Sequence, residues 1–179
     1  MAPFPAEVDR LSLAVRIADR CRLTGEFTLR SGKVATTYFD KYLFEADPEL
    51  LAAVAVLATP MIPDGTEVLA GLELGGVPVA TALSLHTGLP AAFVRKEAKS
   101  YGTAKLAEGA EVSGKRVLVV EDVITTGGQV VASAQDLRER GADLVGVLCV
   151  IDRSGGDNRL ADAGLDLRSV FTADDLGGT

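Results

Sequence analysis

An apolar run that ends in two acidic residues constrains the fold of this chain more than any other feature. Residues 117–120 read Val-Leu-Val-Val, and Glu121, Asp122, two apolar residues and a Thr/Gly-rich segment follow. The apolar run is typical of a strand buried on both faces of a parallel sheet. A helical pattern then extends from about 130 to 140. A strand, a glycine-containing loop and a helix in this order predict an α/β fold with a ligand site at the carboxyl end of the strand.

The segment after the acidic pair has the residue types that a phosphate site needs. Glycines allow an anion to approach several backbone N–H groups, and the N-terminus of the next helix adds partial positive charge. Glu121 and Asp122 would repel a phosphate, so a sugar diol suits them better, with a magnesium ion nearby as a further option. No Gly-Lys-Ser/Thr follows, which excludes a Walker A loop. The predicted anion cradle consists of Thr125, Thr126, Gly127, Gly128 and Gln129.

The composition is that of one soluble globular domain. Of the 179 residues, 47% are hydrophobic and 24% are charged, which is typical of a folded protein with a full core. The net charge of -7 argues against a general nucleic-acid surface. Cys21 and Cys149 lack the spacing of metal ligands, so we expect free buried thiols. Because the sequence shows neither a leader peptide nor an apolar run of membrane length, we expect a cytoplasmic protein without membrane partners.

The N-terminal third of the sequence predicts two helices and a hairpin. Apolar residues at helical spacing predict an amphipathic helix over 6–22, whose apolar face meets the core or a partner. Two β-prone runs flank Ser-Gly-Lys and predict a hairpin within 24–40. Asp47 and Pro48 are the N-cap and the first residue of a second helix, which ends near Pro60. The predicted apolar face of the first helix consists of Val8, Leu11, Val15, Ala18 and Cys21.

Further apolar runs complete the predicted sheet. The strand 67–70 leads into a loop with three glycines, which suggests backbone packed tightly against a ligand. A helix then runs from Pro78 to about 87, and Gly88 closes it. Additional strands are predicted at 91–94, at 144–151 and, as a short edge strand, at 167–171.

Three of these segments together resemble one enzyme family. The stretch 117–129 is similar to the phosphoribosyl pyrophosphate (PRPP) signature of the type I phosphoribosyltransferases. The run Arg-Lys-Glu-Ala-Lys at 95–99 resembles the mobile catalytic loop of the orotate phosphoribosyltransferases, and Phe-x-Leu-x-Ser-Gly at 27–32 resembles the start of their small hood over the base. Without this context, the four basic groups within eleven residues from Arg95 onward are typical of a solvated charged loop.

The resemblance, which covers about residues 20–155, implies the type I phosphoribosyltransferase fold. That fold has a central parallel sheet flanked by helices, with a small N-terminal hood. We expect a single domain over 1–179, with the hood segment at about 20–45 and the PRPP-binding core at about 66–155.

The resemblance also implies residues for the PRPP site. Lys99 is the first choice for a catalytic cation, because cations that close over the pyrophosphate stabilise its developing charge and exclude water. Asp122 is the second residue assigned to catalysis, and with Glu121 it would hold the ribose hydroxyls. Two departures stand out: Leu74-Gly75 replaces the Tyr-Lys pair frequent in the family, and Tyr101 replaces a frequent His. The implied PRPP-binding residues are Arg95, Lys96, Lys99, Tyr101, Lys105, Glu121, Asp122, Thr125, Thr126, Gly127, Gly128, Gln129 and Gly75.

A site for orotate is implied by the same comparison. Arg30 lies where the family commonly has a base-contacting Lys, and Tyr38 and Phe39 align with aromatic residues of the pocket. Arg153 and Thr125 correspond to further base contacts, and a guanidinium group suits a planar carboxylate. Outside this context, aromatics that pack on the core and a surface ion pair of Arg153 are equally ordinary interpretations. The implied orotate-binding residues are Arg30, Tyr38, Phe39, Thr125 and Arg153.

The implied reaction joins orotate to PRPP and yields orotidine 5'-monophosphate and pyrophosphate in pyrimidine biosynthesis. Mg2+, held mainly by PRPP oxygens, is the implied cofactor, and no direct protein ligand of the metal is expected. The family also implies a homodimer in which the loop 95–109 acts in the neighbouring subunit's site. Two alternatives stay open: a type I transferase for another base, and a PRPP- or nucleotide-sensing regulator of nucleic-acid binding. Arg30 and Arg153 favour a carboxylated base, and the acidic net charge disfavours the regulator.

Overall fold

The computed structural model describes residues 4–28, 32–96 and 106–178, and this part of the chain contains eight strands and five α-helices. The strands are β1 (Arg22–Thr28), β2 (Val34–Phe39), β3 (Val68–Leu72), β4 (Ala91–Val94), β5 (Ala107–Gly109), β6 (Arg116–Ile124), β7 (Asp143–Asp152) and β8 (Leu167–Thr172). The helices are α1 (Arg10–Cys21), α2 (Tyr42–Glu45), α3 (Pro48–Ala58), α4 (Gly76–Thr87) and α5 (Gly128–Glu139).

A six-stranded sheet in the order β5-β4-β3-β6-β7-β8 forms the centre of the molecule. Neighbouring strands run parallel except for β5, which pairs antiparallel with β4. Successive residues of β6 alternate between the two faces: Leu118 and Val120 pack on the side of α1, α3 and α4, whereas Val117 and Val119 pack on the side of α5. The prediction of a mostly parallel sheet flanked by helices is therefore confirmed, and β6 carries apolar residues because it is covered on both faces.

A separate two-stranded antiparallel hairpin, β1-β2, connects α1 to the remainder of the fold. Leu23 pairs with Tyr38, and the backbone N–H of Asp40 donates to the carbonyl of Cys21 at 2.8 Å. The predicted hairpin is confirmed, although β1 starts at Arg22. It occupies the segment for which a hood was predicted, and that division of the domain stays a prediction.

Local sequence signals set several helix ends as expected. The Asp47 carboxylate accepts hydrogen bonds from the backbone N–H groups of Glu49 and Leu50 at 3.0 and 3.2 Å, and Pro48 is the first residue of α3. Gly88 ends α4 with a φ of 80°, a conformation that favours glycine. Both predicted caps are confirmed. Within the described residues, no helix is long and apolar enough to cross a membrane.

The first helix differs from its prediction in length and in face. It begins at Arg10 rather than near residue 6, because the Asp9 carboxylate caps it by accepting from the N–H of Ser12 at 2.7 Å. Leu11 and Val15, assigned to the apolar face, are 68% and 58% exposed. The buried residues of this helix are Leu13, Ala14, Ile17, Ala18 and Cys21. The prediction of the buried face was therefore correct for Ala18 and Cys21 and wrong for Leu11 and Val15.

Tertiary pairing also moves several other boundaries. Strand β6 does not end at the acidic pair but continues to Ile124, because its ladder with β7 extends to Asp152. Strand β3 includes two residues of the predicted glycine loop, and α4 starts at Gly76, with Pro78 inside its first turn, where proline is tolerated. The end of the predicted basic loop forms β5, whose Glu108 pairs with Phe93 of β4.

Candidate active site at the carboxyl edge of the sheet

The predicted anion cradle lies between the end of β6 and the start of α5. Gly127 precedes α5 with a φ of 73°, and its carbonyl accepts from the N–H of Val131 at 3.0 Å. A side chain at Gly127 would be strained by this backbone conformation and would also approach Leu160. Thr125, Thr126 and Gln129 are exposed. The segment therefore presents polar side chains and a helix N-terminus to solvent, as an anion site requires.

The segment that follows β7 holds this cradle by backbone hydrogen bonds. The N–H of Arg153 donates to the carbonyl of Ile124 at 2.8 Å, and the N–H of Arg159 donates to the carbonyl of Thr126 at 3.2 Å. The Asp152 carboxylate in turn accepts from the N–H of Ser154 at 2.8 Å. Arg153, predicted to contact the base, is thus fixed beside the predicted phosphate loop.

Tyr38, Phe39 and Arg153 line one cavity of about 300 Å³, as the predicted orotate site requires. The rings of Phe27 and Tyr38 are 5.5 Å apart, so the hairpin presents two aromatic side chains together. Arg22 also lines this cavity, and its guanidinium donates to the carbonyl of Leu176 at 2.7 Å. The sequence interpretation missed Arg22, because the residue is simply the first of a β-prone run. The other cavity residues are Ala35, Thr37 and Gly178.

The two acids of the signature, Glu121 and Asp122, are buried rather than exposed to solvent. Asp122 is fully buried and Glu121 is 9% exposed. The Asp122 Oδ1 atom accepts from the N–H of Val123 at 2.6 Å, and the Glu121 Oε1 atom accepts from the N–H of Asp122 at 3.0 Å. Their assignment to PRPP stays a prediction, and the structure adds that both carboxyl groups already have protein partners.

Lys41 is the main residue of this region that the sequence interpretation missed. Its Nζ lies 2.5 Å from the Asp122 Oδ2 atom, and its side chain is 33% exposed. It precedes α2, a short helix that was not predicted. No local pattern could have identified the contact, because the two residues are far apart in the sequence and Lys41 belongs to no motif.

Glu45 brings a third carboxyl group to the same place. It is 7% exposed, and its Oε1 atom has no hydrogen-bond partner among the described residues. Burial, together with hydrogen bonding and charge repulsion from Asp122, raises the pKa of Glu45 to about 9. The same causes raise the pKa of Glu121 to about 8.

Asp122 and Lys41 form the charged pair of this cluster. Burial opposes ionisation of Asp122, but hydrogen bonding with Glu121, Glu45 and Lys41 outweighs it and lowers the pKa of Asp122. Burial also opposes the charge of Lys41, and hydrogen bonding and attraction to Asp122 outweigh it and raise the Lys41 pKa. The shifts therefore favour one ion pair, Asp122 with Lys41, beside two carboxyl groups whose neutral form is stabilised by burial.

The loop between β3 and α4 packs directly against Asp122. A Cβ atom on Gly75 would overlap the Asp122 carboxylate, and one on Gly76 would overlap the carbonyl oxygen of Val120. Only glycine fits at these two positions, although Gly75 has an ordinary φ of -70°. Gly75 was predicted to contact PRPP through its backbone, and the structure places it at the acidic cluster. Leu74, which replaces the frequent Tyr, is 59% exposed.

The described part of the basic segment lies at the next strand end. The N–H of Lys96 donates to the Glu73 carboxylate at 3.1 Å, and the N–H of Arg95 donates to the carbonyl of Leu106 at 2.9 Å. The Arg95 side chain lines a cavity of about 230 Å³ whose wall includes Glu73 and Glu108. Four residues of the predicted site lie outside the described residues: Arg30, Lys99, Tyr101 and Lys105.

Comparisons with known proteins agree on one family. The model of the phosphoribosyl transferase domain matches residues 44–165. An orotate phosphoribosyltransferase of Nocardioides sp. is 58% identical over 166 residues, which are 92% of this chain and 93% of that protein. The corresponding protein of Halobacterium salinarum is 44% identical and covers 94% of this chain and 95% of its own length.

Solved structures lead to the same family. Mycobacterium tuberculosis orotate phosphoribosyltransferase in complex with Fe(III) dicitrate is 38% identical, with a TM-score of 0.85 over 95% of this chain and 99% of that one. The same enzyme in complex with PRPP is 34% identical, with a TM-score of 0.80 and the same coverage. Because relatives of one name align along nearly the whole length and the family model matches most of the chain, this chain belongs to the orotate phosphoribosyltransferases, within the type I phosphoribosyltransferase family.

Proposed function

We propose that this protein transfers the 5-phosphoribosyl group of PRPP to orotate, which yields orotidine 5'-monophosphate and pyrophosphate in de novo pyrimidine biosynthesis. The observation that carries the proposal is the cavity in which Tyr38, Phe39 and Arg153 meet beside the signature loop. The hydrogen bond from the backbone N–H of Arg153 to the carbonyl of Ile124 supports the proposal, because it holds Arg153 next to the end of β6. The relative from Nocardioides sp., an orotate phosphoribosyltransferase 58% identical to this chain, supports the assignment.

In this proposal, two sets of groups hold the two substrates. We propose that Thr125 to Gln129 and the N-terminus of α5 hold the 5'-phosphate of PRPP, and that Glu121 and Asp122 serve the ribose hydroxyls. The guanidinium of Arg153 would pair with the orotate carboxylate, while Tyr38 and Phe39 would cover the ring. Arg30 and Thr125 remain predicted base contacts.

Catalysis in this proposal rests on position and charge rather than on a covalent intermediate. Cleavage of the bond between ribose C1 and pyrophosphate develops positive charge on the sugar and negative charge on the leaving group. Arg95 and Lys96, at the end of β4, would contact the pyrophosphate together with Lys99, Tyr101 and Lys105. We assign no general base, because orotate can react as an anion through its ring nitrogen.

Mg2+ is proposed to enter the site bound to PRPP. Among the described residues, no group of three or more His, Cys, Asp or Glu side chains could hold a metal ion, and Asp122 is paired with Lys41. The pairing of Asp122 with Lys41 supports the proposal that PRPP, rather than this carboxylate, holds the metal. When bound to the pyrophosphate oxygens, magnesium would neutralise part of their charge.

The remaining predictions concern the setting of the enzyme. We propose a homodimer in which the loop 95–109 acts in the partner's site, with small molecules as the other partners and without nucleic acid or membrane. A cytoplasmic location is supported by Cys21 and Cys149, which are both buried free thiols.

The test of the activity is the loss of the ultraviolet absorbance of orotate on mixing the protein with PRPP, Mg2+ and orotate. We expect the absorbance to fall only when all three are present, and to fall much more slowly with Lys99→Ala. If orotate is unchanged while PRPP still binds, a transferase for another base or a PRPP-sensing regulator becomes the better assignment. Retention of RNA or DNA at moderate salt would then identify the regulator.

The role of Arg153 is tested by comparing its effect on the KM for orotate with its effect on the KM for PRPP. Arg153→Ala should raise the KM for orotate by about tenfold or more, because a charged hydrogen-bond donor to the carboxylate is lost, with little change in the KM for PRPP. The matched control is Arg140→Ala, which removes an exposed guanidinium at the far end of α5. Equal KM values for orotate in the two variants would contradict the assignment of Arg153.

A further inference from the structure

Lys41 connects the hairpin side of the molecule to the signature strand. It lies two residues after the end of β2, which carries Tyr38 and Phe39, and its Nζ lies 2.5 Å from the Asp122 Oδ2 atom. Of the ion pairs among the described residues, this is the one that involves Asp122. The contact therefore joins the base side of the site to the strand that leads into the predicted anion cradle.

The surroundings of Asp122 make Lys41 difficult to replace. The Asp122 Oδ1 atom accepts from the N–H of Val123, and the backbone of Gly75 lies so close to the Oδ2 atom that no side chain fits between them. The other side chains that interact with it, Glu45 and Glu121, are acids. A buried carboxylate without a cation is strongly unfavourable, so the position of this carboxylate depends on the ammonium group of Lys41.

We propose that Lys41 is a positioning residue for PRPP binding, which fixes the Asp122 carboxylate and thereby holds the hairpin and the signature strand in one arrangement. The identity of the ligand rests on the proposed function, whereas the ion pair does not. The directions of the pKa shifts agree with this arrangement, because the pKa of Asp122 is lowered while burial beside Asp122 raises the pKa of both neighbouring acids. Lys41 acts through Asp122, and its substitution changes the placement of the acidic pair rather than the chemistry.

The test is PRPP binding without orotate, measured by titration calorimetry in the presence of Mg2+. Lys41→Met keeps the length of the side chain and removes its charge, and we expect the Kd for PRPP to rise by about tenfold or more, since small displacements of positioning groups have effects of this size. Lys41→Arg retains a cation and should restore most of the affinity. The matched control is Lys115→Met, which removes the surface ion pair between Lys115 and Glu67 at the opposite end of β6.

A double-mutant cycle separates positioning from a general effect on folding. If Lys41 acts through Asp122, Lys41→Met combined with Asp122→Asn should bind PRPP no more weakly than the worse single variant. Effects that multiply in the double variant, or wild-type affinity in a folded Lys41→Met variant, would overturn the proposal. If Lys41→Met alone does not fold, the double variant, which leaves no buried charge unpaired, takes its place, and wild-type affinity there would also overturn it.

These experiments distinguish a wrong assignment of the base from a wrong assignment of Lys41. If the protein binds PRPP but does not consume orotate, the proposed base is wrong, and the dependence of PRPP affinity on Lys41 is still measured. If steady-state kinetics are accessible, Lys41→Met should raise the KM for PRPP proportionally more than it lowers kcat. A lower kcat with unchanged KM and Kd would instead make Lys41 a participant in the chemical step, which contradicts a positioning role.

Discussion

At the scale of single residues, Glu45 is the group whose protonation depends most clearly on the fold. Its pKa rises from 4.5 to about 9 because the side chain is buried beside Asp122. Between these two values the folded state holds a proton that the unfolded state has released. The contribution of Glu45 to stability is therefore most favourable near and below the unfolded pKa of 4.5, and it declines as the pH rises toward about 9.

We predict that Glu45→Gln weakens this pH dependence. Glutamine keeps the neutral shape of the protonated acid, so the free energy of unfolding should decrease less between about pH 6 and pH 8.5 than in the wild type. Urea unfolding at the two pH values measures the difference. A smaller decrease should persist because burial also raises the pKa of Glu121 to about 8. The exposed Glu7 serves as control: if Glu45→Gln and Glu7→Gln have the same pH dependence, Glu45 is ionised in the folded protein.

At the scale of elements, the loop between β3 and α4 packs against the acidic cluster because Gly75 and Gly76 have no side chains. Gly75 has φ and ψ values of -70° and -30°, which any residue adopts, so only space demands glycine there. We predict that Gly75→Ala displaces the Asp122 carboxylate, lowers the thermal midpoint and weakens PRPP binding by about tenfold or more. Calorimetric titration with PRPP and a thermal unfolding curve of the same preparation provide the two measurements.

Gly88→Ala gives the matched comparison for this prediction. Gly88 has a φ of 80°, and a Cβ atom added there would meet no other atom within 4 Å, so its substitution strains the backbone without a clash. The free energy of unfolding should fall by about 1–2 kcal/mol, the cost of a left-handed conformation for a residue with a side chain. The Kd for PRPP should be unchanged. If the two alanine variants bind PRPP equally, the fit between Gly75 and Asp122 has no role in the site.

The elements that the sequence predicted well are those whose determinants are local. The cap of α3 by Asp47 and the end of α4 at Gly88 depend on neighbouring residues, and both were predicted. Strand β5 depends instead on its pairing with β4, and its three residues carry no strand pattern of their own. The side of α1 that is buried also depends on what packs against it, which explains why Leu11 was misassigned.

The same distinction applies to the candidate site. The signature loop and Arg153 follow strands whose carboxyl ends meet at one edge of a parallel sheet, so topology alone brings them together. Lys41 and Glu45 reach Asp122 from the start and the end of a short helix with no sequence signature, and the packing of that helix against α1 and α3 brings them there. A recognisable motif can therefore be placed from sequence, whereas the partners of its buried groups cannot.

At the scale of the whole molecule, hydrogen bonds connect the N-terminal helix α1 to the C-terminal turn, near the cavity lined by Tyr38, Phe39 and Arg153. Arg10 of α1 donates to both carboxylate oxygens of Asp175, at 3.1 and 2.6 Å, and to the carbonyl of Val170 at 3.0 Å. Arg22, which lines the cavity, donates to the carbonyl of Leu176 in the same turn. One wall of the cavity lined by Tyr38, Phe39 and Arg153 thus depends on contacts between the N-terminal and C-terminal segments.

We predict that Asp175→Asn lowers the free energy of unfolding by about 1 kcal/mol at neutral pH, a modest value because both side chains are partly exposed. The hydrogen bond from Arg10 and that from the Thr172 N–H lower the pKa of Asp175 to about 2. An acid with a lowered pKa stabilises the fold above its unfolded pKa of 3.8 and loses that contribution as the pH falls toward about 2. The difference in stability between wild type and Asp175→Asn should therefore be constant above about pH 5 and shrink below it, which denaturant unfolding at several pH values measures. Arg16→Gln, which removes the more exposed ion pair between Arg16 of α1 and Glu49 of α3, should have a smaller effect. If the two substitutions lower the free energy of unfolding equally, the ion pair between Arg10 and Asp175 contributes no more to stability than an ordinary surface ion pair.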